Sequence, residues 1–154
     1  MAVNKVDGRE CGMVRQGDVL LIRSNSGLKA ASPVARENGR VILAHGEVTG
    51  HAHAISANSA TLVADGPQRQ LLVDEKAGWH EAWQIRNTIT GHIGYIPKRM
   101  KPEQYTGVES LGATLIQGVE VEHEEHYPFI VPNGDWDVVI QSEYTPAAIR
   151  NVAD

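Results

Sequence analysis

Val119-Glu120-Val121-Glu122-His123-Glu124-Glu125-His126 runs through Tyr127-Pro128 into Phe129-Ile130-Val131-Pro132-Asn133-Gly134-Asp135-Trp136-Asp137-Val138-Val139-Ile140. Apolar and acidic residues alternate at its start. Successive side chains of a strand point to opposite faces, so Val119, Val121 and His123 share one face and Glu120, Glu122 and Glu124 the other. Phe129–Val131 and Trp136–Ile140 are two further apolar runs flanking Pro132-Asn133-Gly134-Asp135. Asn-Gly tolerates positive φ at both central positions of a tight turn, which predicts a β-hairpin there.

The same signals recur upstream. Gly17-Asp18 opens the buried run Val19-Leu20-Leu21-Ile22, and Gly39 leads into a second strand from Arg40 to His45. The stretch 24–39, rich in Ser, Asn, Gly and Ala, reads as loop. Thr49-Gly50 marks a bend before a strand over His51–Ile55, and Thr61–Ala64 with Gln70–Val73 form a hairpin around Asp65-Gly66-Pro67. Trp83, Ile85, Asn87 and Ile89 suggest a strand with His92–Ile96 returning antiparallel to it, against a competing short helix over 75–84. Thr145-Pro146 resembles an N-cap with proline in the first turn and predicts a short C-terminal helical turn over 146–152. Many short strands with turn punctuation predict a mainly β fold, a single-domain β-barrel or sandwich of jelly-roll type over 1–154.

Composition narrows the function classes. The chain has 154 residues, 42% hydrophobic and 21% charged, with a net charge of −5. This is globular rather than disordered. There is no extended Lys/Arg block, which disfavours nucleic-acid binding. Cys11 is the single cysteine, so a disulfide framework and a cysteine-rich zinc module are both excluded. No apolar segment approaches the ~18 residues of a membrane span, and Met1–Gly12 lacks the apolar core of a secretory signal. The expectation is a cytoplasmic protein.

The chemistry concentrates in two histidine clusters, Gly50-His51-Ala52-His53 and His123-Glu124-Glu125-His126. Imidazole is the commonest metal-ligating side chain. On a strand, His51 and His53 point to one face, roughly 6.5–7 Å apart along the backbone. His123 and His126, three residues apart, need a bulge or a helical turn to converge. His51, His53, His123 and His126 are the candidate ligands of a divalent transition-metal ion, with only one of His123 and His126 as the alternative; zinc comes first, with iron, manganese, nickel or copper as alternatives. Glu124 and Glu125 are candidate general bases or further ligands. Glu47 is a nearby carboxylate, and His45 a further ligand or a partner to one. An open position on the ion would support metal-activated water or dioxygen chemistry, with a small-molecule ligand. A closed site would lock strands or subunits of a structural protein.

Gln16-Gly17-Asp18-Val19-Leu20-Leu21, Gly46-Glu47-Val48-Thr49-Gly50-His51-Ala52-His53, His123-Glu124-Glu125-His126, and Pro132 through Tyr144 with Pro146 occur in that order. Together they resemble a family of small uncharacterised proteins of bacteria and their phages. That family shares a Gly-Asp-Val strand, a Gly-His-x-His segment, a His-Glu-Glu-His segment and a Gln-x-Glu-Tyr ending. The resemblance implies that the four histidines act as a unit, and it implies a virion location if the chain is phage-encoded. Against that pattern, residues 75–113 read as an enlarged insert, suited to contacts in a homo-oligomer through Trp79 and Trp83, and Ile140 replaces the usual Arg. Cupins, which pair a His-x-His strand with a later His in a jelly roll, are a more distant analogy; the Glu they place after His-x-His has no counterpart in Ile55–Ser59.

Overall fold

The computed structural model describes residues 3–46, 48–144 and 149–151, the last three and 142–144 as backbone only. The described chain is mainly β. In chain order the strands are β1 (Lys5–Val6), β2 (Met13–Gln16), β3 (Val19–Arg23), β4 (Ser32–Pro33), β5 (Val41–His45), β6 (Ala52–Ile55), β7 (Ala60–Asp65) and β8 (Gln68–Val73). They continue as β9 (Trp79–Asn87), β10 (Ile93–Pro97), β11 (Val108–Val121), β12 (Phe129–Pro132), β13 (Gly134–Ile140), β14 (Ser142–Tyr144) and β15 (Ile149–Asn151). A 3-10 turn covers Pro102–Gln104.

Two sheets make a sandwich-like domain. One has the order β1-β11-β12-β10-β9, with β9 also paired to β11; the other has the order β2-β3-β13-β8-β7-β4. Side chains from both meet in one core: Val119, Ile116, Ile130 and Tyr95 from the first, and Leu21, Leu62, Leu71 and Trp136 from the second. The two-stranded β5–β6 ribbon adds Val41, Leu43 and Ile55 to the same core. Each fully buried aliphatic side chain of this kind contributes about 1.5–3 kcal/mol relative to exposure, before conformational entropy is charged against it. Among the described residues no helix is long and apolar enough to cross a membrane.

Most expected strands occur where the patterning puts them, including the 61–73 hairpin, closed by Gly66-Pro67 with Gly66 at φ 59°. The competing helix over 75–84 does not form; Trp79–Asn87 is a strand paired with β10 and β11. Residues 75–113, read from sequence as an insert, supply β9, β10, the 3-10 turn and the start of β11. The helical turn expected over 146–152 is not seen at Ile149–Asn151, which is a strand antiparallel to Ser142–Tyr144. Residues 145–148 and 152 lie outside the described residues.

The hairpin expected at Asn133-Gly134 is also corrected. β12 and β13 do not pair. β12 lies between β11 and β10, whereas β13 lies between β3 and β8 in the other sheet. The chain crosses the sandwich here, and Arg23 holds the crossing. Its guanidinium donates to Asn133 O (2.8 Å), Gly8 O (3.0 Å) and Cys11 O (3.1 Å), and it stacks 4.3 Å from the Trp136 ring. Gly134 has φ 125°, and a Cβ there would collide with Arg23 Nη1. The glycine makes room for a cation rather than for a tight turn.

Candidate functional site

The two histidine clusters meet through one backbone bridge. Ala54 N donates to Glu122 O and Glu122 N donates to Ala54 O, both at 2.9 Å, an isolated antiparallel pair. With 54 opposite 122, residue 53 stands opposite 123 and residue 51 opposite 125. The 54–122 pair exchanges both hydrogen bonds, so 53 and 123 occupy the adjoining non-hydrogen-bonded position, where facing side chains approach most closely. The rings of His53 and His123 accordingly lie with centroids 4.3 Å apart. His51 Nδ1 lies 2.9 Å from Glu125 Oε1. A bend over 124–126 then turns His126 back onto the cluster, 4.7 Å from His123 and 5.8 Å from His53, centroid to centroid. His51 and His123 lie edge-to-face at 6.3 Å. All four predicted histidines therefore come together.

The β2–β3 hairpin supplies the floor. Its two-residue turn, Gly17-Asp18 with Gly17 at φ 56°, projects two buried polar residues toward the imidazoles: Gln16 and Asp18, 4% and 7% exposed. Gln16 Nε2 donates to Val121 O (3.2 Å) and Tyr127 O (3.0 Å), which uses both amide hydrogens. Gln16 Oε1, 2.8 Å from His53 Nδ1, can then only accept. His53 Nδ1 must carry the hydrogen, and in the neutral ring Nε2 is the lone-pair nitrogen. That nitrogen lies 3.5 Å from Asp18 Oδ1, in a side chain with no solvent exposure. By the same reasoning the Glu125 carboxylate fixes the hydrogen of His51 on Nδ1, leaving its Nε2 as a lone pair. A carboxylate or amide oxygen behind a ring nitrogen is the usual way a metal-binding histidine is oriented.

His123 is arranged differently. Its Nδ1 accepts from Glu125 N–H at 2.9 Å, so the neutral ring carries its hydrogen on Nε2. His126 Nε2 is buried and has no hydrogen-bond partner among the described residues. As the side chains stand, no three or more His, Cys, Asp or Glu groups among the described residues are disposed to hold a metal ion.

The predicted acids have backbone and orienting partners. Glu124 Oε1 accepts from Ala52 N–H at 2.8 Å, and that hydrogen bond holds its carboxyl below the usual glutamate range. Glu124 thus ties the start of β6 to the 123–126 segment, while Glu125 orients His51. His45 points away, to Glu37 at 3.3 Å. His80 lies against Gly118 O, outside the cluster. Glu47 lies outside the described residues.

Gln16, Asp18 and Gly46 belong to the site but not to the set drawn from sequence. A Cβ on Gly46 would stand 3.3 Å from both His123 Nε2 and His51 Cβ. Gln16 and Asp18 form a polar pair at a hairpin tip between buried runs, which ordinary surface turns share; their other sequence signal is their place in the Gln16–Leu21 segment of the resemblance. A cleft of about 580 Å3 opens beside the cluster; Gln16 and His126 line it, together with Ile85, Ile93, Tyr127 and Phe129.

Fold and site together define a mainly β, sandwich-like protein with a histidine-rich polar cluster at one end of its core. Over residues 15–84 the chain is similar to a family described as a domain of unknown function (DUF8820), a stretch that holds Gln16, Asp18, His51 and His53. No curated protein and no solved structure matches the chain.

Proposed function

We propose that His51, His53, His123 and His126 bind a divalent transition-metal ion, zinc in first place, with Asp18 beside them. The observation that supports this most directly is the convergence of the four rings: His123 lies with its centroid 4.3 Å from His53, 4.7 Å from His126 and 6.3 Å from His51, with the Asp18 carboxylate 3.5 Å from His53 Nε2. Several imidazoles beside a carboxylate are the donor set a divalent transition-metal ion uses.

Binding requires the rings to move closer together, and His123 must release Glu125 N–H to present a lone pair on its other nitrogen. Gly46 leaves the space for that movement. Bound there, a divalent ion would act as a Lewis acid and lower the pKa of a water on it. The protein's own residues would hold the ring orientations through Gln16 and Glu125, and keep solvent from His53. His126 borders the cleft, so the site has an open side. That favours a ligand-accepting site over a closed clamp between strands.

The test is elemental analysis of purified protein together with cobalt(II) uptake followed by visible absorbance. The expected result is stoichiometric metal in the wild type, lost in His53→Ala and His123→Ala. Metal-free protein that also takes up no cobalt would sink the reading. The same variants address the alternative of a structural site, whose metal binding energy is folding energy: there, His123→Ala would lose several kcal/mol of stability together with its metal.

A further inference from the structure

We propose that the cleft beside the histidine cluster binds a small aromatic carboxylate, with its ring against Gly94 and Ile85 and its carboxylate at the His126 end. This names the ligand class of the proposed metal site and rests on that reading.

One wall marks where the ring belongs. Gly94 of β10 stands directly opposite Ile85 of β9, and both line the cleft. A glycine inside a strand commonly signals a bulge, a tight bend, or the close approach of another backbone or a ligand. The β9–β10 register runs unshifted from Ile93↔Arg86 to Pro97↔Ala82, and Gly94 is not among the glycines with positive φ. A Cβ there would meet two Ile85 side-chain atoms, at 3.8 and 4.0 Å, and no backbone of another segment within 4 Å. Neither a bulge nor a crowded backbone accounts for this glycine, whereas a flat ligand lying on the bare strand does. Tyr105, Tyr127 and Phe129 also line the cleft, with the Tyr105 ring 5.2 Å from Tyr127 and 5.3 Å from Phe129, centroid to centroid. Aromatic groups stabilise one another at such spacings, and a ligand ring extends the cluster. The volume of about 580 Å3 lies in the range of small-molecule sites.

The lining also selects the head group. The chain has a net charge of −5, yet no Asp or Glu is among the described residues of the cleft, whereas Arg15, His92 and His126 are. Several polar groups of the wall are occupied by its own turns. Asn87 Oδ1 accepts from the Ile89 and Thr90 N–H groups, both at 2.9 Å, Thr90 Oγ1 accepts from His92 N–H at 3.3 Å, and Gln104 Oε1 accepts from Lys101 N–H at 3.1 Å. Tyr105 OH donates to Pro128 O at 2.6 Å. His126 Nε2, by contrast, is buried and has no hydrogen-bond partner among the described residues. A ligand therefore meets an apolar, aromatic body of wall and one polar end. A carboxylate suits that end, because its oxygens ligate a divalent ion held by the histidines and no acidic side chain described in the wall repels it. A cationic head would be repelled by the ion.

The experiment follows binding of benzoate, 3-phenylpropionate and 2-naphthoate to the purified, cobalt-loaded protein by ligand-observed NMR, with benzamide as the neutral control. At least one acid should bind, and benzamide should bind about tenfold or more weakly than benzoate, the scale of a hydrogen bond to a charged group. Cobalt should relax the ligand protons nearest the carboxylate most strongly. Gly94→Leu, which the backbone geometry allows, fills the space over Ile85; it should weaken the acids by at least about tenfold and leave cobalt uptake unchanged. Ile89→Asp, at a rim position 91% exposed, is the second variant and should weaken the acids more than benzamide even if Gly94→Leu fails to fold. Cobalt-loaded protein that binds none of the acids, binds benzamide as well as benzoate, or binds equally after both substitutions would overturn the proposal and leave the metal reading standing. Protein that takes up no cobalt would sink the metal reading, and the head-group placement with it.

Discussion

Gln16→Leu is the substitution that tests the site's internal logic. Gln16 makes three hydrogen bonds at once, to Val121 O, Tyr127 O and His53 Nδ1. Leucine keeps most of the volume and none of the polarity. The His53 N–H, in a ring with no exposure, and the bond to Val121 O both lie in the interior; Tyr127 O is at the edge, where water can replace the amide. A buried polar group left unsatisfied costs about 1–3 kcal/mol, so two of them give roughly 2–6 kcal/mol, with a midpoint near 4. For a domain of this size that midpoint corresponds to a fall in Tm on the order of 10 °C. The variant also frees His53 to turn, so metal affinity should fall by about 10–100-fold, as when a ligand's orienting partner is removed. Urea unfolding gives the first number and competition with a chromogenic chelator the second. A loss below about 1 kcal/mol would refute the claim that Gln16 is the fixed hinge of the network. A stability loss with unchanged metal affinity would refute the assignment of His53 as a ligand oriented by Gln16.

Two further outcomes follow from other parts of the structure. Burial pushes the Cys11 thiol up to about 11 from the ordinary thiol value of 9.0. The folded state holds this proton more tightly than the unfolded chain, so its stabilisation is complete below pH 9 and lost as pH rises toward 11, about 2–3 kcal/mol in all; alkaline melts of wild type and Cys11→Ala should diverge over that interval, and parallel curves would contradict the burial. Gly118→Ala should cost several kcal/mol, since its Cβ would collide with Val131 O and lie 2.8 Å from Val131 C, backbone that cannot move without opening the β11–β12 pairing; a loss near zero in urea unfolding would mean that this strand pair is looser than described.

The sequence was legible wherever a local rule held. The Val119/Val121 face, the Asp65–Gln68 turn and a strand at 19–22 all follow from side-chain alternation or turn chemistry, and each is found, although Ile22 is 40% exposed where Val19, Leu20 and Leu21 are buried. His51 and His53 share a face by parity, and both rings lie against His123. The Asn133-Gly134 reading failed because a glycine with positive φ has two uses, and here it clears space for Arg23 from a strand about 110 residues away in sequence. Asp18 and Gln16 were not among the candidate site residues for a related reason. A polar pair at a hairpin tip becomes a buried site residue only when another segment folds over it.

By itself the sequence determined the strand periodicities, the mainly β class and the identity of the four imidazoles, because those depend on neighbours along the chain. Tertiary structure alone decided which imidazoles face each other and which nitrogen each presents. The bridge between Ala54 and Glu122 sets the first, through the register of an antiparallel pair. Gln16 and Glu125 set the second, because a hydrogen on one ring nitrogen leaves the lone pair on the other. Both depend on contacts between residues far apart in sequence, and only the folded chain brings them within hydrogen-bond distance.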